Sequence, residues 1–197
     1  MKYRLTDIKI EVFGRTLFRI EALESFGNVK KGELGGYVEN QDNLSQDGNA
    51  WVCGDAEVCG NAKVYGNAEV YGNARVCGDA EVCGDARVYG NAEVYGNAWV
   101  YGNADYLLIG PIGSRKGFTT FFKTKDNEIY VKCGCFRGNI KEFTNEVERT
   151  HKDNYFAKEY KQAIRLAELH ILGEKNGRKN CNIAEAEGFE RFINETK

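Results

Sequence analysis

VCGDAE-VCGNAK-VYGNAE-VYGNAR-VCGDAE-VCGDAR-VYGNAE-VYGNAW-VYGNAD, residues 52–105, is nine hexapeptides of one pattern, V-[Y/C]-G-[N/D]-A-x, joined without an insertion. A strict short period means one supersecondary unit stacked on itself, and six residues is the period of a parallel β-helix. Valine at the first position is β-branched and suits a strand. Alanine at the fifth is small enough for a tight corner. Between them, Gly-Asn or Gly-Asp supplies the residues that best tolerate left-handed backbone. Each hexad reads as a short strand, x-V-[Y/C], and a bend, so three hexads close one triangular coil of eighteen residues.

The pattern continues upstream in weaker letters. LGGYVE (34–39), NQDNLS (40–45) and QDGNAW (46–51) keep an inward type of residue at the fifth position, namely Val38, Leu44 and Ala50. Twelve hexads over residues 34–105 then make four coils, a prism roughly 20 Å tall at about 4.8 Å per stacked strand. Residues eighteen apart should stack. The last-slot columns are Glu39, Glu57, Arg75, Glu93; Trp51, Glu69, Arg87, Asp105; and Ser45, Lys63, Glu81, Trp99. Arg75 and Arg87 each fall between two acids and Lys63 falls beside Glu81, cross-strand pairs worth about 0.2–1 kcal/mol each. Tyr71 should stack on Tyr89, with Tyr65, Tyr95 and Tyr101 on the other ladders. These tyrosines, with Trp51 and Trp99, read as an outward aromatic wall or as a face that packs on a neighbouring subunit.

Val-x-x-x-Ala in all nine repeats resembles the left-handed β-helix hexapeptide-repeat proteins, whose pattern is [LIV]-[GAED]-x-x-[STAV]-x. Tyr or Cys at the second slot departs from the usual small residue. The resemblance implies left-handed winding and a homo-oligomer, most often a trimer. The best-known enzymes on this repeat, acyltransferases and γ-class carbonic anhydrases, use histidine as base or zinc ligand. Here both histidines, His151 and His170, lie beyond the repeats, and the long loop that acyltransferases insert between coils is absent. The expectation is therefore a non-enzyme with no catalytic residue, an acyltransferase remaining an alternative by fold analogy alone. The flanks, LGGYVE…NLSQDGNAWV and IGPIGSR…TTFF…VKCGCFRGN…EF…TH, resemble hypothetical proteins of phages and prophages. That implies an accessory viral gene, with modulation of host defence in the host cytoplasm as its role.

The bulk numbers exclude more than they assign. A net charge of −2 on 197 residues gives no general electrostatic reason to bind nucleic acid or an anionic membrane. No run of eighteen apolar residues predicts a membrane span, and the N-terminal MKYRLTDIKIEVFG lacks the apolar core of a signal peptide. The seven cysteines are an odd number. Four of them, Cys53, Cys59, Cys77 and Cys83, share one repeat slot, which points to a reducing cytoplasm. Only Cys59 and Cys77 are column neighbours, and they read as free thiols acting as small apolar residues.

Residues 1–33 read as a β cap. Two alternating stretches flank Phe13-Gly14-Arg15, and Phe18, Ile20 and Leu23 would form its apolar face. After Asp105, residues 106–172 read as an α+β module. Its strands are 106–109, 118–124 and 128–136, and a helix opens at a capping box of Asn139 with Glu142. A second helix over 155–172 should bury Phe156, Tyr160, Ala163, Ile164, Ala167 and Ile171. Residues 173–197 read as a polar tail with a possible capped start at Asn182. The whole is thus mainly β: a left-handed parallel β-helix with an N-terminal hairpin cap and a C-terminal α+β module.

Chemistry concentrates in that module. Gly113, Ser114, Arg115 and Lys116 form a glycine-rich basic loop, followed by Thr119, Thr120 and Arg137, with His151 at a helix end. Glycines let backbone N–H groups approach an anion, and arginine supplies forked donors. These eight residues read as a site for a small anionic or nucleotide-like ligand, against the alternative of a hairpin loop with solvated charges. The segment is not a Walker loop, because G-x-x-x-x-G-K-[ST] is not present. Cys133 and Cys135 should share one strand face by period two, as core or pocket lining. A zinc site there would need His151 and Cys181 as well, so neither metal nor cofactor is expected.

Overall fold

The computed structural model describes residues 1–176, with side chains to residue 173. It is mainly β, a β-solenoid of about four turns followed by two helices. The hairpin strands β1 (Tyr3–Val12) and β2 (Arg15–Ala22) precede β3 (Leu34–Val38). Nine two-residue strands follow: β4 (Trp51–Val52), β5 (Glu57–Val58), β6 (Lys63–Val64), β7 (Glu69–Val70), β8 (Arg75–Val76), β9 (Glu81–Val82), β10 (Arg87–Val88), β11 (Glu93–Val94) and β12 (Trp99–Val100). They stack in parallel on three faces, β3-β5-β8-β11, β4-β7-β10 and β6-β9-β12. Val58 faces Val76 in register, the eighteen-residue step of the repeat. From Val52 to Val100 no inward valine or alanine exceeds 1% exposure, each buried valine contributing about 1.5–3 kcal/mol. The corner glycines stack on one another at positive φ. At Gly78 (φ +76°) a Cβ would sit 2.9 Å from the Gly96 nitrogen, so only glycine lets the coils close up there.

The first coil is out of phase with the rest. Val38 faces Val58 and Leu44 faces Val64, each twenty residues on, so both occupy valine slots rather than alanine slots. The predicted neighbours Glu39/Glu57 and Ser45/Lys63 are corrected accordingly. The two extra residues lie between Ser45, whose N–H donates to the Val64 carbonyl, and Asn49, whose N–H donates to the Gly66 carbonyl, while the preceding corner is a 3-10 turn, Gln41–Asn43, closed by a capping box between Asn40 and Asn43. Asn43 is buried and its amide donates to the Gly60 and Ala62 carbonyls, at 2.9 and 2.8 Å, in place of a strand.

The hairpin continues one face of the solenoid, β2 pairing antiparallel with β3. Its turn has positive φ at both Phe13 (50°) and Gly14 (76°), the mirror-image geometry that matches strand twist. Of the predicted cap face only Ile20 is fully buried. Phe18 and Leu23 are half-buried, while Tyr3 and Leu17 are fully buried. Tyr3 is inside because its hydroxyl meets the first coil's carbonyls, Leu44 at 2.7 Å and Gln41 at 2.9 Å. Lys2 Nζ donates to the Ala50 carbonyl at 3.0 Å, and burial pushes its pKa down to about 8. Trp51 is not part of an outward wall. It is 3% exposed, packed edge-on against Tyr3 and Phe26.

The predicted free thiols Cys59 and Cys77 are joined as a disulfide, their Cα atoms 4.7 Å apart on neighbouring parallel strands. Register places them opposite each other, and Leu17, Ile10 and Val12 of the hairpin pack beside them.

The described residues beyond the solenoid form four strands rather than three: β13 (Tyr106–Ile112), β14 (Gly117–Lys123), β15 (Ile129–Cys133) and β16 (Phe136–Asn139), an antiparallel meander. Helices α1 (Ile140–His151) and α2 (Tyr155–Asn176) follow. The Asn139–Glu142 capping box is present at the start of α1. The predicted strand 128–136 is broken at Gly134 (φ 56°). The meander is a middle layer. Phe122 and Tyr106 join the solenoid core, whereas Phe121, Ile129 and Val131 join the core made with both helices. The capped start at Asn182 and Cys181 lie outside the described residues. Among the described residues, no helix is long and apolar enough to cross a membrane.

Candidate functional site

The three predicted site residues that lie on meander strands, Thr119, Thr120 and Arg137, divide between its two faces, because side chains alternate along a strand. Thr119 and Thr120 are adjacent on β14 and point opposite ways. Thr119 Oγ1 contacts Cys133 Sγ at 3.2 Å on the helix side, while Thr120 Oγ1 accepts the Glu93 N–H at 3.1 Å on the solenoid side. Arg137 likewise faces the solenoid, its guanidinium 5.0 Å from the Tyr95 ring centroid. Thr120 and Arg137 are therefore removed from the predicted site. They belong to the seam between module and solenoid, with the Lys132–Glu93 ion pair (3.2 Å) and the Tyr95 hydroxyl donating to the Val131 carbonyl (3.1 Å).

Ser114, Arg115 and His151 do come together. They line a cleft of about 270 Å³ between the 113–117 turn, the β15–β16 turn, α1 and α2. Its walls include Phe118, Phe136, Phe143 and Tyr160, with Cys133, Cys135 and Glu146 also at the surface. Tyr160 is central. The His151 ring stacks on it at 5.7 Å and 30°, Phe143 meets it edge-on at 5.6 Å, and its hydroxyl lies 3.7 Å from Cys133 Sγ. Burial, then the neighbouring Cys133 thiol, pushes the phenol pKa far above its ordinary value. The hydroxyl therefore stays protonated. Glu146 at the rim is paired with Arg149, which holds its carboxyl below the usual carboxylate range.

The glycine-rich loop does not offer an open nest of N–H groups. β13 runs on to Ile112, so only the turn from Gly113 to Lys116 remains, closed by Lys116 N–H to Gly113 O at 3.0 Å. The Gly113 N–H donates to the Glu159 carboxylate at 2.6 Å, so an anion from the chain itself already occupies it. Gly113 is buried at φ +74°, and a Cβ there would overlap the Tyr160 hydroxyl, so packing alone requires glycine. Lys116 is exposed at the turn (φ 48°). Cys133 and Cys135 do not share a strand face, since Gly134 turns the chain between them. Cys133 is half-buried in the cleft and Cys135 exposed. Among the described residues, no three His, Cys, Asp or Glu side chains cluster as metal ligands.

The arrangement is an aromatic slot bordered by the Arg115 guanidinium, the His151 imidazole, the Ser114 and Thr150 hydroxyls and the Arg149-paired Glu146 carboxylate, suited to a flat group whose negative charge meets Arg115. Sequence reasoning missed Phe143 and Tyr160 as site residues, having assigned Tyr160 to core packing. They are core on one edge and cleft wall on the other. A scan against protein-family models and a search of curated proteins each find no match to this chain.

Proposed function

We propose that the protein is a non-catalytic binder of a small anionic, nucleotide-like ligand, held in the C-terminal cleft. The observation that carries this reading is the convergence of Arg115, Ser114 and His151 on one cleft, with the His151 ring stacked on Tyr160. A planar base would stack in the slot, and its phosphate or carboxylate would take charge-assisted bonds from Arg115, worth roughly 1.5–3 kcal/mol each. The phage-like flanks support sequestration of a host signal as its use. The Val-x-x-x-Ala pattern supports left-handed winding of the solenoid. Mass spectrometry of ligand released from heated purified protein identifies the class. Arg115→Ala should weaken calorimetric binding of nucleotides or cyclic nucleotides roughly ten- to hundredfold with an unchanged melting temperature. Equal binding by mutant and parent, or binding by neither, overturns this reading.

A second reading, an assembly scaffold, rests on Tyr89 and Tyr101, which are 49% and 59% exposed on the solenoid. A homotrimer would cover them. Light scattering that gives the 22.1 kDa monomer mass at micromolar concentration rejects it.

A further inference from the structure

A separate cleft of about 360 Å³ opens on the β3-β5-β8-β11 face, between the hairpin turn and β16 of the module. It shares no lining residue with the C-terminal cleft. The Cys59–Cys77 disulfide is part of its wall. Parallel register sets Cys59, Cys77 and Tyr95 in one column, β5 followed by β8 and then β11. The two sulfurs differ in access. The hairpin's Leu17, Ile10 and Val12 pack beside the pair, leaving Cys59 8% exposed and Cys77 half-buried. Tyr95 turns toward the module, its ring 5.2 Å from that of Phe122 and its hydroxyl bonded to Val131. The cleft is lined by Glu93 and Tyr95 as well as by both cysteines, so it reaches Cys77 from the side away from Cys59. A thiolate attacks a disulfide in line with the S–S bond, which makes Cys77 the sulfur open to attack.

The charge around that sulfur is positive. Arg75 stands two residues before Cys77, and strand alternation puts both side chains on one outward face, about 7 Å apart at their Cβ atoms. Its Nε donates to Glu57 at 2.6 Å, and its guanidinium lies 5.0 Å from the Phe13 ring centroid. The cleft is lined by the guanidiniums of Arg15, Arg75 and Arg137 and by one carboxylate, Glu93. Arg15 pairs with Glu39, Arg75 with Glu57 and Glu93 with Lys132. Arg137, over the Tyr95 ring at 5.0 Å, makes no ion pair among the described residues and is the charge left over.

We propose that this cleft is a thiol–disulfide exchange site for small thiols that carry a carboxylate. The carboxylate pairs with Arg137, and the incoming thiolate sulfur bonds to Cys77 Sγ while the Cys59–Cys77 bond breaks. Cys59 leaves with the electron pair and takes up the proton that the incoming thiol gave up. A second thiol attacks the mixed disulfide, freeing Cys77 and releasing the small-molecule disulfide. Two small thiols are oxidised and one protein disulfide is reduced, with no further co-reactant. Arg75, beside the reacting sulfur, favours thiolate over thiol.

The test compares N-acetylcysteine with its amide, which carries the same thiol without the carboxylate. On native protein with its free thiols alkylated, N-acetylcysteine should open the disulfide roughly tenfold faster per thiolate. Mass spectrometry of acid-quenched, mapped peptides reads the rate. Arg137→Gln should remove that preference and leave the amide's rate unchanged. Cys59→Ser deletes the resolving thiol, so oxidised N-acetylcysteine should leave a lasting mixed disulfide on Cys77. Cys77→Ser should leave the buried Cys59 unlabelled in the native protein. A disulfide that opens only in denaturant, equal rates per thiolate for the two thiols, a preference that survives Arg137→Gln, or labelling of Cys59 as fast as Cys77 overturns the proposal.

Discussion

The solenoid and the C-terminal module solve the same problem, burying an apolar face, by opposite means. In the solenoid a residue eighteen positions on is the neighbour overhead, so one valine and one alanine per hexad build the whole core. In the module nothing repeats. Phe121, Phe143 and Tyr160 meet from a strand and two helices, with edge-on contacts of 6.1 and 5.6 Å. A periodic wall is uniform, and uniformity leaves little concavity except where a terminal segment folds over it. Irregular packing leaves a slot between unlike elements. The candidate cleft of this chain accordingly lies in the module, not on the open prism.

The comparison breaks first if the two cores are not independent in kind. Val76→Asp places an unpaired carboxylate in a fully buried column, a cost on the order of 5 kcal/mol. It should abolish the folded protein, read as loss of the far-ultraviolet circular dichroism of both regions. Phe143→Ala should cost about 3–5 kcal/mol but act on the module, reducing helical signal and the cleft's ligand binding while the strand signal persists. Equal loss of both signals in the Phe143→Ala variant would mean that the solenoid does not hold its fold without the module.

Smaller changes sharpen the seam between them. Tyr95→Phe deletes the hydroxyl's bond to Val131, about 1 kcal/mol. Burial pushes this phenol up to about 12, against the pull of Arg137. Because the folded pKa is raised, the stabilisation is intact below pH 10 and lost as pH rises through about 12. Melting curves should therefore show a shallower alkaline decline in the variant. The smallest effect belongs to Glu39, whose carboxylate accepts the Gly60 N–H at 2.6 Å and pairs with Arg15 at 2.8 Å. The Gly60 bond first, then Arg15, lowers its pKa. Its contribution, roughly 0.5 kcal/mol, is present above the ordinary carboxyl pKa and fades as pH falls below it. Glu39→Gln should lower the melting temperature slightly at neutral pH, and the difference should close on acidification.

Charge columns illustrate how far one dimension of sequence reaches. Arg75 pairs with Glu57 at 2.6 Å and Arg87 with Glu69 at 3.3 Å, as the eighteen-residue step predicts. Glu81 does stand beside Lys63 in register, but its short ion pair is made with Lys125, at 2.7 Å, from the β14–β15 turn. Glu93 goes to Lys132 and Asp105 to Lys123, both from the module. Wherever the module lies over the prism, its lysines displace the in-column partners, and no period of the repeat encodes that. The cleft was half legible. Ser114, Arg115 and His151 were visible as polar residues in loops and at a helix end. Strand alternation, itself readable from sequence, would have set Thr120 and Arg137 apart had the β14 and β16 boundaries been known.

The sequence by itself determined the solenoid, its coil length, the inward valines and alanines and the stacking of Tyr71 on Tyr89. A six-residue period leaves each residue a single kind of neighbour, so local identity specifies long-range contact. Only the tertiary structure decided the first coil's slip by two residues, the burial of Trp51 and the occupation of the Gly113 N–H by Glu159. Those depend on where the chain ends fold back, which is set by competition among unlike side chains for the few carbonyls, N–H groups and apolar edges that the repeat leaves unpaired.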